Sequence, residues 1–305
     1  MRESAIIADI VRHNAELASI GGTEVVIPPG DDMAEVRLGG RRALVAADQV
    51  IEGVHWLPGT DLALVARKAM ARNVSDVAAM AAVPACAVAT VACAPDAPEA
   101  HVRSLSEGLR AAAREFACPV VGGDVGVHAA AGSPLVLSVA ILAEPGPTGR
   151  VVTRAGAREG DLLCVTGFLG DGWRPDGSGR HLRIAPRVRE ALALVAQLGE
   201  RLHAMIDVSD GLATDAGHLA EASGLSVVID ASRLPVAPGT PWRQAVGAGE
   251  EHELAFACDG TPPERVEGTP VTVVGRFVRA RADRAVVAAD GAEHPASNLG
   301  WEHGR

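Results

Sequence analysis

The stretch IDVSDGLATD, residues 206–215, places Asp207, Asp210 and Asp215 where an apolar run gives way to a helix-like pattern. Carboxylates about 4 Å apart repel by roughly 4 kcal/mol at an effective dielectric near 20, so such crowding requires a cation, a proton or abundant water. Four more stretches share this grammar: GDDMA with Asp31 and Asp32, AADQV with Asp48, NVSDVAAM with Asp76, and VVGGDVG with Asp124. In several, an apolar run ends in Gly or Ser beside Asp, where backbone can approach a ligand and a short side chain can reach it. Hard divalent cations favour such oxygen-rich sites, and Mg²⁺ takes one or two carboxylates together with waters and phosphate oxygens.

The competing reading of each acid is a helix cap or an Asx-turn. Asp31 falls to that reading, because neighbours on an extended segment point in opposite directions. Asp215, four or five positions into its helix, is expected to face water. His55, close behind Asp48 in EGVHW, is singled out by position. The run Glu250, Glu251, His252, Glu253 reads as the exposed, charged start of a strand. GFLGDGW (167–173) reads as a plain loop, its glycines being in the wrong order for a dinucleotide motif.

Secondary structure must gather these acids. At 305 residues the chain exceeds the size at which one core keeps growing, so two domains are expected. Residues 5–18 carry helix-spaced apolar positions. GGTEVVIPPGDDMAEV reads as a strand stopped by Pro-Pro-Gly and resumed past the acids, and RRALVAADQVIEGVHW as β-rich. From Asp61, a candidate N-cap, a helical period runs through Leu64, Val65, Lys68, Ala69 and Arg72. ACAVATVACA is long enough to cross a sheet, a second amphipathic helix covers 98–116, and CPVVGGDVG and PLVLSVAILAE are strand-like. The Pro- and Gly-rich EPGPTGRVVTRAGAREGD divides residues 1–145 from 146–305. Beyond it the pattern gives a strand at 161–166, a polar Gly-rich loop to about 183, a helix at 186–200 and a strand at 204–208. A helix from Leu212 to Ser223, strands near 225–230, 252–258 and 271–276, and an irregular tail follow.

Composition excludes several functions. With 38 acids against 28 bases the net charge is −10, which disfavours broad binding to a nucleic-acid backbone. Lys68 is the only lysine and no Gly precedes it, so a Walker-type loop cannot exist. The five cysteines (Cys86, Cys93, Cys118, Cys164, Cys258) form no CxxC and lie in apolar runs, as buried free thiols do. Neither a signal peptide nor a membrane-length apolar run is visible, and the cytoplasm is the expected compartment.

Taken in order, these segments resemble the thiamine-monophosphate kinase family, within the superfamily of aminoimidazole ribonucleotide synthetase. GDDMA, AAD with VIEGVHW, NVSDVAAMAAVP, GGDV, TRAGAREGD, DVSDGLATD and AGEEHEL match that family's motifs over nearly the whole length. The resemblance implies a homodimer with an N-terminal α/β domain, whose sheet forms the dimer core, and a C-terminal α+β domain. It implies ATP as co-substrate and several Mg²⁺ between the domains, with phosphate transferred in line to thiamine monophosphate. Asp32, Asp48, Asp76, Asp124, Asp207 and Asp210 match metal ligands. Gly123, Asp124, Arg154 and Ser209 match groups that hold ATP, and His55, Glu250 and Trp301 match substrate contacts. Asp207, Asp210 and Arg154 would serve catalysis.

The chain departs from the family pattern at Ala46 and Ala47, which replace a Ser/Thr pair, at Val125, which replaces Thr, and at Glu251 and His252, which replace Asp-Tyr. It contains no tyrosine, and the segment after GFLGDG is shorter than the family's. These changes leave open an ATP-dependent enzyme with another acceptor, of the purine-pathway cyclo-ligase type, or a nucleotide-binding homologue without turnover.

Overall fold

The computed structural model describes residues Thr23–Leu299 apart from Pro175, together with Asp9 and Val11. The expected helix at 5–18 lies largely outside the described residues, although Asp9 and Val11 are helical. The N-terminal sheet has six strands: β1 (Glu24–Ile27), β2 (Ala34–Leu38), β3 (Arg41–Ile51), β4 (Ala82–Cys93), β5 (Val120–Val127) and β6 (Val136–Pro145). Their order is β1-β2-β3-β6-β4-β5. Every neighbouring pair is antiparallel except β4–β5, which is parallel because a helical crossover joins the two strands.

Alternation along β6 explains where the first core lies. Leu137, Val139, Ile141 and Ala143 are buried against helices α1 (Leu62–Ala79) and α2 (Glu99–Glu115), while the residues between them turn to the opposite face. No helix covers that opposite face among the described residues, and Val45, Val83 and Val88 stay exposed on it.

Helix α1 is capped by Asp61, whose carboxylate accepts the Ala63 N–H at 2.9 Å. It is buried on nearly every side, which amphipathic surface helices are not. One side meets the N-terminal sheet. Its last turn, through Ala78 and the following Ala81, joins Cys164, Leu194, Met205 and Phe256 in a second core shared with the C-terminal half. The helix tolerates this confinement because much of its surface is alanine. Gly108 of α2 adds to the close fit, since a Cβ there would lie 2.7 Å from the Ala63 carbonyl oxygen.

The C-terminal sheet contains β7 (Leu162–Thr166), β8 (Leu202–Asp207), β9 (Leu225–Asp230), β10 (Leu254–Cys258), β11 (Arg265–Val266), β12 (Thr269–Arg279), β13 (Ala285–Ala289) and β14 (Ala292–Pro295). The path is β14-β13-β9-β12-β7-β10-β8, with β11 paired to β12. Helix α3 (Val188–Leu198) covers one face, and α4 (Leu212–Ala222) with α5 (Trp242–Gly247) covers the other. β7 and β10 are consequently buried on both faces and read as continuous apolar runs.

The tail is more regular than its composition suggests. β13 and β14 form a hairpin, closed by Asp290 and Gly291, both at positive φ (52° and 78°) as a two-residue primed turn requires. All five cysteines are free; Cys86 is half-buried and the others are buried. No described helix is long and apolar enough to cross a membrane.

Candidate active site

Asp32, Asp76 and Asp207 converge where α1 meets both sheets. Ligand oxygens from the three lie within 4.8 Å of one another. Asp32 follows the turn between β1 and β2, Asp76 occupies the penultimate turn of α1, and Asp207 ends β8. Ser75, one residue before Asp76, donates its hydroxyl to Asp207 Oδ2 at 2.6 Å, tying α1 to β8 directly.

Cationic groups surround this trio. Arg154 Nη2 and Nε donate to Asp32 Oδ1 at 2.6 and 3.2 Å, and the Arg154 backbone N–H donates to Asp31. His252 bridges Asp207 Oδ2 (3.0 Å) and Glu250 Oε2 (3.3 Å) through its two ring nitrogens. Glu250 Oε1 also meets Lys68 Nζ and Arg72 Nη1, each at 2.9 Å, and Arg72 Nε donates to Asp48 Oδ2 at 3.0 Å. The fully buried Lys68 ammonium further donates to the His55 carbonyl (2.7 Å) and to His181 Nδ1 (2.9 Å). One charged network thus runs from Asp48 on β3 to Ser75 on α1.

The trio is electrostatically strained. Burial first, and then the charges of Asp48, Asp207 and Asp32, push Asp76 well above its ordinary carboxylate value. Burial raises Asp32 to about 7 against the opposing pull of Arg154. Asp207 is as deeply placed, but hydrogen bonds from His252 and Ser75 outweigh burial and leave it below the ordinary value. Glu250 is held well below its ordinary value because Arg72 and Lys68 overcome its burial. Burial lowers Lys68 to about 8, with Glu250 resisting. His252 goes the other way: burial disfavours its charge, yet its bonds to Asp207 and Glu250 raise it.

A divalent cation fits this donor set. Asp32 Oδ2 is buried without a hydrogen-bond partner among the described residues, and it belongs to three carboxylates facing a common point. A hard cation would supply both the missing partner and the neutralising charge.

Residues 30–144 match the family model of the AIR synthase related protein N-terminal domain, and residues 158–286 that of its C-terminal domain. Thiamine-monophosphate kinase of Caulobacter vibrioides is 32% identical over 290 residues, covering 86% of this chain and 80% of the relative. That of Escherichia coli K12 is 33% identical over 280 residues, covering 83% and 82%. Among solved structures, AaThiL complexed with AMPPCP and TMP matches with a TM-score of 0.80 and 28% identity, covering 99% of this chain and 97% of the other. Thiamine monophosphate kinase from Aquifex aeolicus matches at 0.71 and 27%, covering 96% and 99%. The chain belongs to the thiamine-monophosphate kinase family. Its two-sheet, mixed α/β architecture is that family's, and family membership makes it a kinase.

Against the family motifs, the structure gathers some residues and separates others. Asp32, Asp76, Asp207 and Arg154 meet, and Asp48 joins them through Arg72. Asp210 lies in the turn before α4, where its N–H donates to Asp215 Oδ2 at 3.0 Å. Ser209 lies in the same turn and accepts the Glu250 N–H through its carbonyl. Asp124 stands apart: it is exposed on β5, in register with Thr90, Ser138 and Gln49, on the uncovered face of the sheet. Asp48 falls in the neighbouring row with Val139, on the face toward α1. Gly123 is required by the backbone, since a Cβ there would strike the Ala89 carbonyl oxygen. His55 is buried, and its Nδ1 accepts the Ile51 N–H. Trp301 lies outside the described residues.

Two expectations are corrected. Asp215 does not face water: it is buried, and burial with the charges of Asp210 and Asp207 raises it well above its ordinary value. The spacing Leu212, Asp215, Leu219 places it on the apolar stripe of α4, a signal its sign obscured. The run 251–253 is buried rather than an exposed strand start. Glu253 is held by Arg187 through two 2.7 Å bonds and by the Thr166 hydroxyl. Glu251 accepts the N–H groups of Gly170 and Gly172, anchoring the 167–173 loop. Glu250 and His252 adopt positive φ (65° and 52°), so this segment holds its side chains inward at a backbone cost. Ser75 and His252 lie inside motif segments but carry no assigned role there, and Lys68 and Arg72 lie outside them; the sign for Lys68 and Arg72 is charge on an apolar helical period.

Asp76 also generates a prediction. Inside the fold it keeps its proton above the pH at which an ordinary carboxylate, near 3.8, releases it. The native state therefore binds more protons than the unfolded chain, and metal-free stability falls as pH rises from about 4. Asp76→Asn removes that loss. In EDTA at pH 8 it should be more stable than wild type by on the order of 1–3 kcal/mol, with the gap closing toward pH 4. Thermal unfolding across that range is the check; a gap indifferent to pH contradicts the assignment.

Proposed function

We propose that the protein transfers the γ-phosphoryl group of ATP to the phosphate of thiamine monophosphate, giving thiamine diphosphate. The observation that carries this reading is the convergence of Asp32, Asp76 and Asp207 around an unpartnered carboxylate oxygen, in a chain related over most of its length to thiamine-monophosphate kinases. AaThiL complexed with AMPPCP and TMP supports both substrates.

The acceptor is a phosphate oxygen already ionised near neutral pH, so the reaction needs positioning and charge neutralisation more than a general base. Mg²⁺ held by Asp32, Asp76 and Asp207, with Asp210 beside them, would neutralise the phosphates and steady the transferring group. Asp207 is suited to this because His252 and Ser75 fix its orientation and keep it ionised. Arg154 places a permanent positive charge at the edge of the same cluster. Ser209, Gly123 and Asp124 are assigned to ATP and its accompanying metal, and His55, Glu250 and Trp301 to the acceptor.

Two further parts of this reading concern the whole molecule. Residues 1–145 and 146–305 act as the two domains. The uncovered face carrying Val45, Val83 and Val88 joins that of a second copy, making a homodimer.

A coupled ADP assay tests the activity: release should require both Mg²⁺ and thiamine monophosphate, and folded protein without turnover contradicts the proposal. Asp207→Asn should lower kcat by about 10²–10³-fold, the cost of losing one preorganised charge-stabilising group. Sedimentation equilibrium tests the assembly. Wild type should sediment as a dimer and Val88→Glu as a folded monomer; a monomeric wild type contradicts it.

A further inference from the structure

Arg72 belongs to none of the motif segments that suggested catalysis, yet it occupies a central place. Its side chain is 15% exposed, and its guanidinium reaches Asp48 Oδ2 with Nε and Glu250 Oε1 with Nη1. Along α1, Lys68, Arg72 and Asp76 succeed one another at one-turn intervals, so the guanidinium shares a helix face with the Asp76 carboxylate of the trio. Its charge is permanent, because a guanidinium is not deprotonated in proteins.

Asp48 is correspondingly ill-provided as a metal ligand. The three-carboxylate group within mutual reach consists of Asp32, Asp76 and Asp207, and Asp48 is outside it. One of its oxygens already accepts from Arg72. Its two predecessors on β3 are Ala46 and Ala47, which have no side-chain oxygen to complete a coordination shell. Mg²⁺ at about 2.1 Å from its ligands needs near-octahedral oxygen geometry. A planar, weakly hydrated guanidinium needs only a carboxylate edge.

We propose that Arg72 is a resident cation standing where Asp48 would otherwise require a divalent ion, so that the chain works with one metal ion fewer than its carboxylates suggest. Resting on the metal site of the proposed function, this deepens it: Asp32, Asp76 and Asp207 take exchangeable cations, and Asp48 takes one that is covalently part of the protein. The link from Asp48 through Arg72 to Glu250 then persists in the absence of metal, holding the assigned acceptor contact in place.

Counting Mn²⁺ bound to the full-length chain without nucleotide, from the electron paramagnetic resonance signal of the free ion, tests this. Wild type and Asp48→Asn should bind equal numbers. Arg72→Ala should bind one more ion, and the double variant Arg72→Ala/Asp48→Asn should return to the wild-type count. A general electrostatic effect of the lost charge tightens binding without changing these numbers. The proposal is overturned if Asp48→Asn binds one ion fewer than wild type, or if Arg72→Ala binds no more. Asp48→Asn alone decides the matter should Arg72→Ala not fold. The counts are independent of turnover, so a wild-type protein lacking kinase activity but showing this pattern overturns the proposed function and leaves the role of Arg72 standing.

Discussion

Repulsion among carboxylates held at the junction of two cores is the constraint from which the surrounding chemistry follows. Asp32, Asp76 and Asp207 are too close and too buried to carry three unopposed charges, and Asp48 adds a fourth negative charge nearby. The protein answers with fixed cations and hydrogen-bond donors at the periphery: Arg154 on Asp32, Arg72 on Asp48, and the His252 ring with the Ser75 hydroxyl on Asp207. These partners act unevenly, so Asp207 stays readily ionised while Asp76 resists ionisation. An arrangement that keeps one carboxylate oxygen of Asp32 unpartnered is poor for stability and well suited to a divalent ion.

Helix α1 makes this crowding mechanically possible. Its alanine-rich surface allows burial on both sides, and its polar residues Lys68, Arg72, Ser75 and Asp76 are thereby carried into a space that neither sheet could reach alone. Because Ser75 bonds Asp207 and Arg72 bonds Glu250, the helix registers the N-terminal sheet against the 250–253 segment. The positive φ values at Glu250 and His252 indicate how tightly that segment is constrained.

Much of this was legible in the sequence, for identifiable reasons. Strands such as β6 alternate strictly and α1 repeats its apolar positions every turn, so periodicity located them. Asp at the ends of apolar runs pointed to Asp32, Asp76 and Asp207 because five stretches repeat the same pattern and match one family's motifs, whereas any one such acid alone reads equally well as a cap or an Asx-turn. Charged residues with inward roles were harder to read. Asp215 and Glu251, His252 and Glu253 carry the polarity of a surface, and only partners distant in sequence, such as Arg187 and Arg180 for Glu253, make their burial affordable. Asp124 shows the converse limit: its motif is local, but which sheet face it occupies depends on strand register with β4 and β6. The β13–β14 hairpin was hidden in a polar tail, where only its Asp-Gly turn signalled a reversal.

The most direct test of the central claim is an anomalous difference map from crystals soaked with Mn²⁺ and a nonhydrolysable ATP analogue. The account requires a peak about 2.1 Å from carboxylate oxygens of Asp32, Asp76 and Asp207. A map with manganese only on the nucleotide phosphates, and none within reach of that trio, would contradict it.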